Sequence, residues 1–246
     1  MKTIGVLGGM SSVASAEYYR RINEGVNAHR GGHSAAEIVL YSVDFGVVEG
    51  FIRDELWDQA AEYLAVRAQR IERAGAEFLI LATNTMHRVA DELQDSIGIP
   101  LVHIVDATAD AATAEGVTTL GLLGTMPVME ADFYRTRLAD HGFDVLVPVE
   151  RDRALVHRVI FEELTRGIID DHSRQEYLRI MRDLVARGAQ GIVLGCTEIS
   201  LLVAEDMAGT VLYDTTALHV DRAVRISLGL HPLATDAKSR PRSPRP

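Results

Sequence analysis

The 246-residue chain is 47% hydrophobic and 24% charged, with 25 Lys and Arg against 35 Asp and Glu and a formal net charge of −10. That composition suits a folded protein with sizeable cores, and its acidic balance disfavours nucleic acid, whose phosphates need a basic surface. No apolar run approaches the roughly eighteen residues of a membrane span, and one cysteine cannot form an intramolecular disulfide, as expected of a thiol kept reduced in the cytoplasm.

The start, MKTIGVLGGM, reads directly as strand and glycine turn, without the features of a secretory signal. In chain order, short apolar runs bounded by Gly, Pro or Asp predict strands at residues 3–8, 37–43, 78–83, 101–105, 120–124, 144–148, 191–195 and 210–214. Between them, apolar residues recur at three-to-four spacing, as in 54–76, and predict helices. Trp57 lies on that stripe and is expected in a core. Strands alternating with helices imply the α/β class, with parallel sheets covered on both faces. Residues 231–246 carry three prolines in the last six positions and four basic residues, and are expected to be a disordered tail.

The sequence repeats itself. Residues 4–22 align without gaps on 120–138, matching Gly5 with Gly121, Leu7 with Leu123, Gly8 with Gly124, Met10 with Met126 and Tyr18 with Tyr134. Residues 75–85 align on 188–198, matching Gly75 with Gly188 and Leu81 with Leu194, and here Thr83 falls on Cys196. Two similar α/β halves are expected, each giving a strand-end residue to one cleft, because parallel sheets bind ligands at the carboxyl ends of their strands.

Loop chemistry agrees with that placement. Met10, Ser11 and Ser12 follow a glycine turn, where a helix start offers backbone N–H groups to a carboxylate; Thr125 stands in the equivalent loop. Neither GxGxxG nor GxxxxGK[ST] occurs, so no nucleotide site is expected. Asn84, Thr85 and Thr197 suit a carboxylate or an ammonium, and Glu198 suits an ammonium or the neighbouring thiol. Each also reads as an ordinary turn residue. Cys196 ends its apolar run instead of lying within it, and polar residues follow at once. A reactive thiol needs a pKa lowered from about 8.5. The only lysines, Lys2 and Lys238, stand near the ends, which argues against a Schiff-base cofactor. His87, His103 and His219 have no metal-ligand spacing and read as structural histidines.

These residues carry a family resemblance. GVLGGMSS, TNTMH (83–87), LLGTM, FEEL (161–164), GCTEI and YDTTALH (213–219) resemble the cofactor-independent aspartate/glutamate racemases over about residues 1–230, and among them the bacterial L-aspartate/glutamate-specific group. The resemblance implies two pseudosymmetric three-layer domains with mainly parallel sheets and the active site in the cleft between them. Residues 1–105 with 213–230 are assigned to the first and 106–212 to the second. It also implies no cofactor, an amino-acid substrate, a homodimer, and Cα proton abstraction on one face with reprotonation on the other.

Most of that superfamily uses two cysteines; here Thr83 replaces the first, as in the L-specific group. Two groups flanking a planar carbanion stand about 7 Å apart. Cys196, as a thiolate, is expected to be the base and Thr83 the opposite-face acid, because a threonine hydroxyl does not usefully ionise near neutral pH. Arg53 and Arg166 are candidates to neutralise a distal carboxylate, although both also read as solvated helix charges. Ile52 replaces a polar side chain of the acid-specific group. Two other functions fit the residues: a single-cysteine decarboxylase of the same superfamily, and a catalytically weak amino-acid or dicarboxylate-binding protein.

Overall fold

The structure is a computed structural model and describes residues 1–233. The first part of the chain runs β1 (Ile4–Gly8), α1 (Ser12–Arg30), β2 (Ile38–Ser42), α2 (Phe45–Arg53), α3 (Trp57–Arg73) and β3 (Phe78–Leu81). A 3-10 turn (Thr85–Val89) then leads to α4 (Ala90–Ser96) and α5 (Ile104–Ala114). The second part runs β4 (Thr119–Gly124), α6 (Met126–Glu130), α7 (Asp132–Asp140), β5 (Asp144–Leu146) and α8 (Glu150–Glu162). After a 3-10 turn (Leu164–Arg166) come α9 (Asp171–Ala186), β6 (Gly191–Gly195), α10 (Ile199–Leu202), α11 (Glu205–Ala208), β7 (Val211–Asp214) and α12 (Thr215–Ser227).

Two parallel sheets result, ordered β2-β1-β3 and β5-β4-β6-β7. Strand alternation sends successive side chains to opposite faces, so each sheet feeds two cores. In the first sheet, Leu7, Leu79 and Leu81 pack with Leu64 and Ile71 of α3, while Ile4, Val6, Phe78 and Ile80 pack with Tyr18, Ile22 and Val224 of α1 and α12. In the second, Leu123, Ile192 and Leu194 meet Val156 and Ile180 of α8 and α9; Leu120, Leu122 and Val193 meet Val105 and Tyr134 of α5 and α7. Each sheet is therefore the middle of three layers, as the pattern predicts. Buried on both faces, the strands β1, β3, β4 and β6 are stabilised chiefly by removing apolar surface from water.

Three expectations change. Residues 101–105 do not form a strand: Leu101 makes a single parallel bridge to Leu79, and the His103 ring nitrogen Nδ1 accepts from the Val105 N–H, starting α5 at Ile104. The division expected at 212/213 falls inside β7, which pairs with β6 in the second sheet, while α12 just after it packs on the first. Of the expected tail, Leu233 packs against the first sheet's core, and 234–246 lie outside the described residues.

Candidate active site

The sheet registers reproduce the sequence repeat. Leu7 pairs with Leu81 across β1 and β3, and Leu123 pairs with Leu194 across β4 and β6. Thr83 and Cys196 each stand two residues beyond those leucines, past the carboxyl ends of equivalent strands. Both border one cleft of about 930 Å³, together with Met10, Ser11, Ser12, Arg53, Asn84, Thr85, Thr125, Thr197 and Glu198. The residues named from sequence as catalytic or substrate-binding are thus brought to one place, except Arg166, which is exposed in its 3-10 turn and not among the lining residues.

Backbone contacts explain why the loops fold so tightly. Gly9 has φ +90°, and a Cβ there would lie 2.3 Å from the Val43 backbone nitrogen, so only glycine fits. The buried Ser15 hydroxyl accepts from the Gly9 N–H at 2.7 Å and donates to the Ser11 carbonyl at 2.9 Å. Ser11 caps α1 by accepting from the Ala14 N–H at 3.2 Å, while Ser12 stays exposed at the helix start.

On the β6 side, the partly buried Cys196 Sγ donates to Glu198 Oε2 at 3.0 Å, and the Thr197 hydroxyl donates to the same oxygen. Glu198 is itself 4% exposed. Burial and the adjacent Glu198 carboxylate push the thiol pKa well up, outweighing the stabilising N–H groups of Glu198 and Thr197. Against the thiolate expected near neutral pH, this environment favours the protonated thiol, with Cys196 donating to the Glu198 carboxylate.

The β3 side is held by neutral groups. His87 Nε2 accepts from the Ile104 N–H at 3.2 Å, so its Nδ1–H donates to the Thr83 carbonyl at 2.7 Å. His219 Nε2–H donates to the Val102 carbonyl at 2.8 Å and Nδ1 accepts from the Tyr18 hydroxyl at 3.0 Å. Burial pushes the His219 pKa down to about 4 and those of His87 and His103 well below the usual range. Asn84 is more strut than open ligand: its amide donates to the Thr215 hydroxyl at 3.0 Å and its carbonyl accepts from Tyr134 at 3.2 Å. Thr215 in turn donates to the Leu194 carbonyl at 2.8 Å, linking the Thr83 loop to the strand that ends at Cys196. Thr85 and Thr125 share a hydrogen bond of 3.1 Å across the cleft, leaving one hydroxyl proton for a ligand.

Two lining residues had no motif to announce them. His157 accepts from the Met126 N–H at 3.1 Å and packs at a tilt against the Phe161 ring, with burial lowering its pKa. Arg88, beside TNTMH, stacks its guanidinium 4.1 Å from the centre of the Trp57 ring. Trp57 is accordingly only half-buried, with one edge in the first core. Among the described residues no helix is long and apolar enough to cross a membrane, and no group of three or more His, Cys, Asp or Glu could hold a metal ion.

Comparison with known proteins agrees with this layout. The chain resembles a crystal structure of a provisionally assigned Asp/Glu racemase from Yersinia pestis, at 46% identity and TM-score 0.88, over 93% of this chain and 100% of that one. It resembles an aspartate racemase homologue from Pyrococcus horikoshii OT3 at 32% identity and TM-score 0.81, over the same shares. It is also 22% identical over 163 residues to the broad specificity amino-acid racemase RacX of Bacillus subtilis, covering 65% of this chain and 69% of that protein. The family model for Asp/Glu/hydantoin racemases matches residues 7–223; the chain belongs to that family.

Proposed function

We propose that the protein is a cofactor-independent racemase of aspartate or glutamate, with Cys196 the base on one face of the substrate Cα and Thr83 the acid on the other. The observation that carries this reading is the placement of Thr83 and Cys196 at equivalent strand ends of two similar sheets, facing one cleft. Planar carbanion chemistry asks for such opposed groups.

Protonated Cys196 needs a way to become a base. The Glu198 carboxylate already accepts its S–H, so the thiol proton passes to Glu198 as the substrate ammonium enters and favours a nearby anion. The thiolate then takes the Cα proton, and the C–H electron pair moves into the α-carboxylate. Backbone N–H groups at 10–12, 84–85 and 197–198 are suited to stabilise that charge. Thr83 donates its hydroxyl proton to the opposite face, and solvent in the cleft reprotonates the alkoxide; Glu198 loses its extra proton in the same way. Free enantiomers still equilibrate to a ratio of one, so the inequality of the two faces appears in individual rates.

The test is to incubate the protein with L- and D-aspartate and L- and D-glutamate in deuterated water and follow Cα deuterium and optical rotation. Loss of optical activity with solvent deuterium at Cα is the expected result. Carbon dioxide release from a substituted malonate without amino-acid exchange would assign a decarboxylase instead, and binding without exchange would leave a binding protein.

A further inference from the structure

A racemase of acidic amino acids needs a cation for the side-chain carboxylate, and among the charged residues lining the cleft the acids outnumber the arginines. Asp44, Glu55, Glu130 and Glu198 line it against Arg53 and Arg88. Arg53 is already engaged: it donates to Glu49 at 3.1 Å and to Asp54 at 3.1 Å, with its side chain 63% exposed. Arg166 does not reach the cleft.

We propose that Arg88 binds the distal carboxylate of an acidic amino-acid substrate; this rests on the racemase reading above. Arg88 and Thr85 stand three residues apart in the 3-10 turn, where side chains at that spacing eclipse. Thr85 faces the cleft and holds Thr125, so Arg88 points the same way about one turn, roughly 6 Å, nearer the mouth. Its guanidinium face lies on Trp57, which orders the side chain and leaves the N–H fork at its edge free for a bidentate carboxylate. The acidic residues beside it at the mouth have other partners: Glu130 accepts from Arg153 at 2.8 Å and Asp132 from Arg135 at 2.8 Å. Among the described residues Arg88 makes no ion pair. Its charge is therefore available, and the position sets specificity by charge.

The experiment compares L-glutamate with L-glutamine, which has the same shape without the charge. Cα exchange is measured for wild type, Arg88→Gln, Arg88→Lys and Arg53→Gln. Arg88→Gln is expected to lower kcat/KM for glutamate at least thirtyfold while changing that for glutamine less than threefold. Arg88→Lys, which keeps charge but loses the fork, should fall between and covers the case in which the glutamine variant folds poorly. An equal loss for both substrates, or a glutamate-selective loss in Arg53→Gln instead, overturns the assignment. A second readout needs no turnover. Trp57 is the only tryptophan, so glutamate docking against Arg88 should shift its emission, with a binding midpoint at least thirtyfold weaker in Arg88→Gln. If wild type exchanges no amino acid, the racemase reading fails, and this titration still decides about Arg88: unchanged binding, or none in wild type, contradicts it.

Discussion

The loop after β3 and the loop after β6 stand at matching places in two similar sheets, yet they hold their reactive side chains by different chemistry. At Cys196, the thiol is hydrogen-bonded to a buried carboxylate that can take its proton. At Thr83, the carbonyl is fixed by neutral His87, and among the described residues no carboxylate or histidine hydrogen-bonds the hydroxyl. Duplicated architecture thus supplies two opposed positions, and local side chains decide what each can do. On the proposed reading, the β6 loop serves abstraction and the β3 loop holds the donor.

The largest way to break this comparison is Glu198→Gln. Losing the carboxylate charge should make Cys196 more acidic, because Glu198 raises its pKa. It also removes the proton acceptor. Alkylation of the thiol by iodoacetamide at neutral pH is therefore expected to speed up while Cα exchange falls by about 10²–10⁴, the range of a lost acid–base group. Exchange that rises with alkylation would mean Glu198 only suppresses the thiol.

Acid should distinguish the two loops next. His219 has a folded-state pKa near 4 against about 6.5 unfolded, and His87 and His103 shift the same way. The unfolded chain then binds more protons, so stability is full above about pH 6.5 and is lost as pH falls towards 4. The His219 shift alone is worth on the order of 3 kcal/mol. Urea midpoints should fall between pH 7.5 and 4.5, and amides of residues 83–89 should lose exchange protection before those of 195–199. Equal loss in both loops would show that the histidines do not set the difference.

The smallest effect is expected from Thr83→Cys, which makes the two loops more alike. The less reactive enantiomer should gain at least about tenfold in exchange rate, since a thiol can serve as base where a hydroxyl cannot. An unchanged enantiomer ratio would count against Thr83 as the opposite-face group.

Much of this was legible before the structure. Leu7, Leu123, Leu81 and Leu194 are strand residues whose local pattern marks their elements, and their repeat aligned Thr83 with Cys196 before any register was known. What failed depended on partners distant in the chain or on proton placement. Residues 101–105 look like a strand locally, but the His103 ring caps a helix there. Residue type left Glu198 open between an ammonium and the thiol, and only the structure shows its oxygen on the thiol; nor can it reveal that Arg53 is occupied by Glu49 and Asp54 while Arg88 rests on Trp57. The Asn84 amide likewise looked free until Thr215 and Tyr134 were seen to hold it.

The account stands most directly on Cys196→Ser, measured by Cα deuterium exchange with each enantiomer of aspartate and glutamate. The serine keeps size and hydrogen bonding but raises the pKa of the reacting group far out of range, so exchange from both faces should fall by at least about 10³. Exchange within tenfold of wild type in that variant would contradict the claim that the β6 thiol is the base.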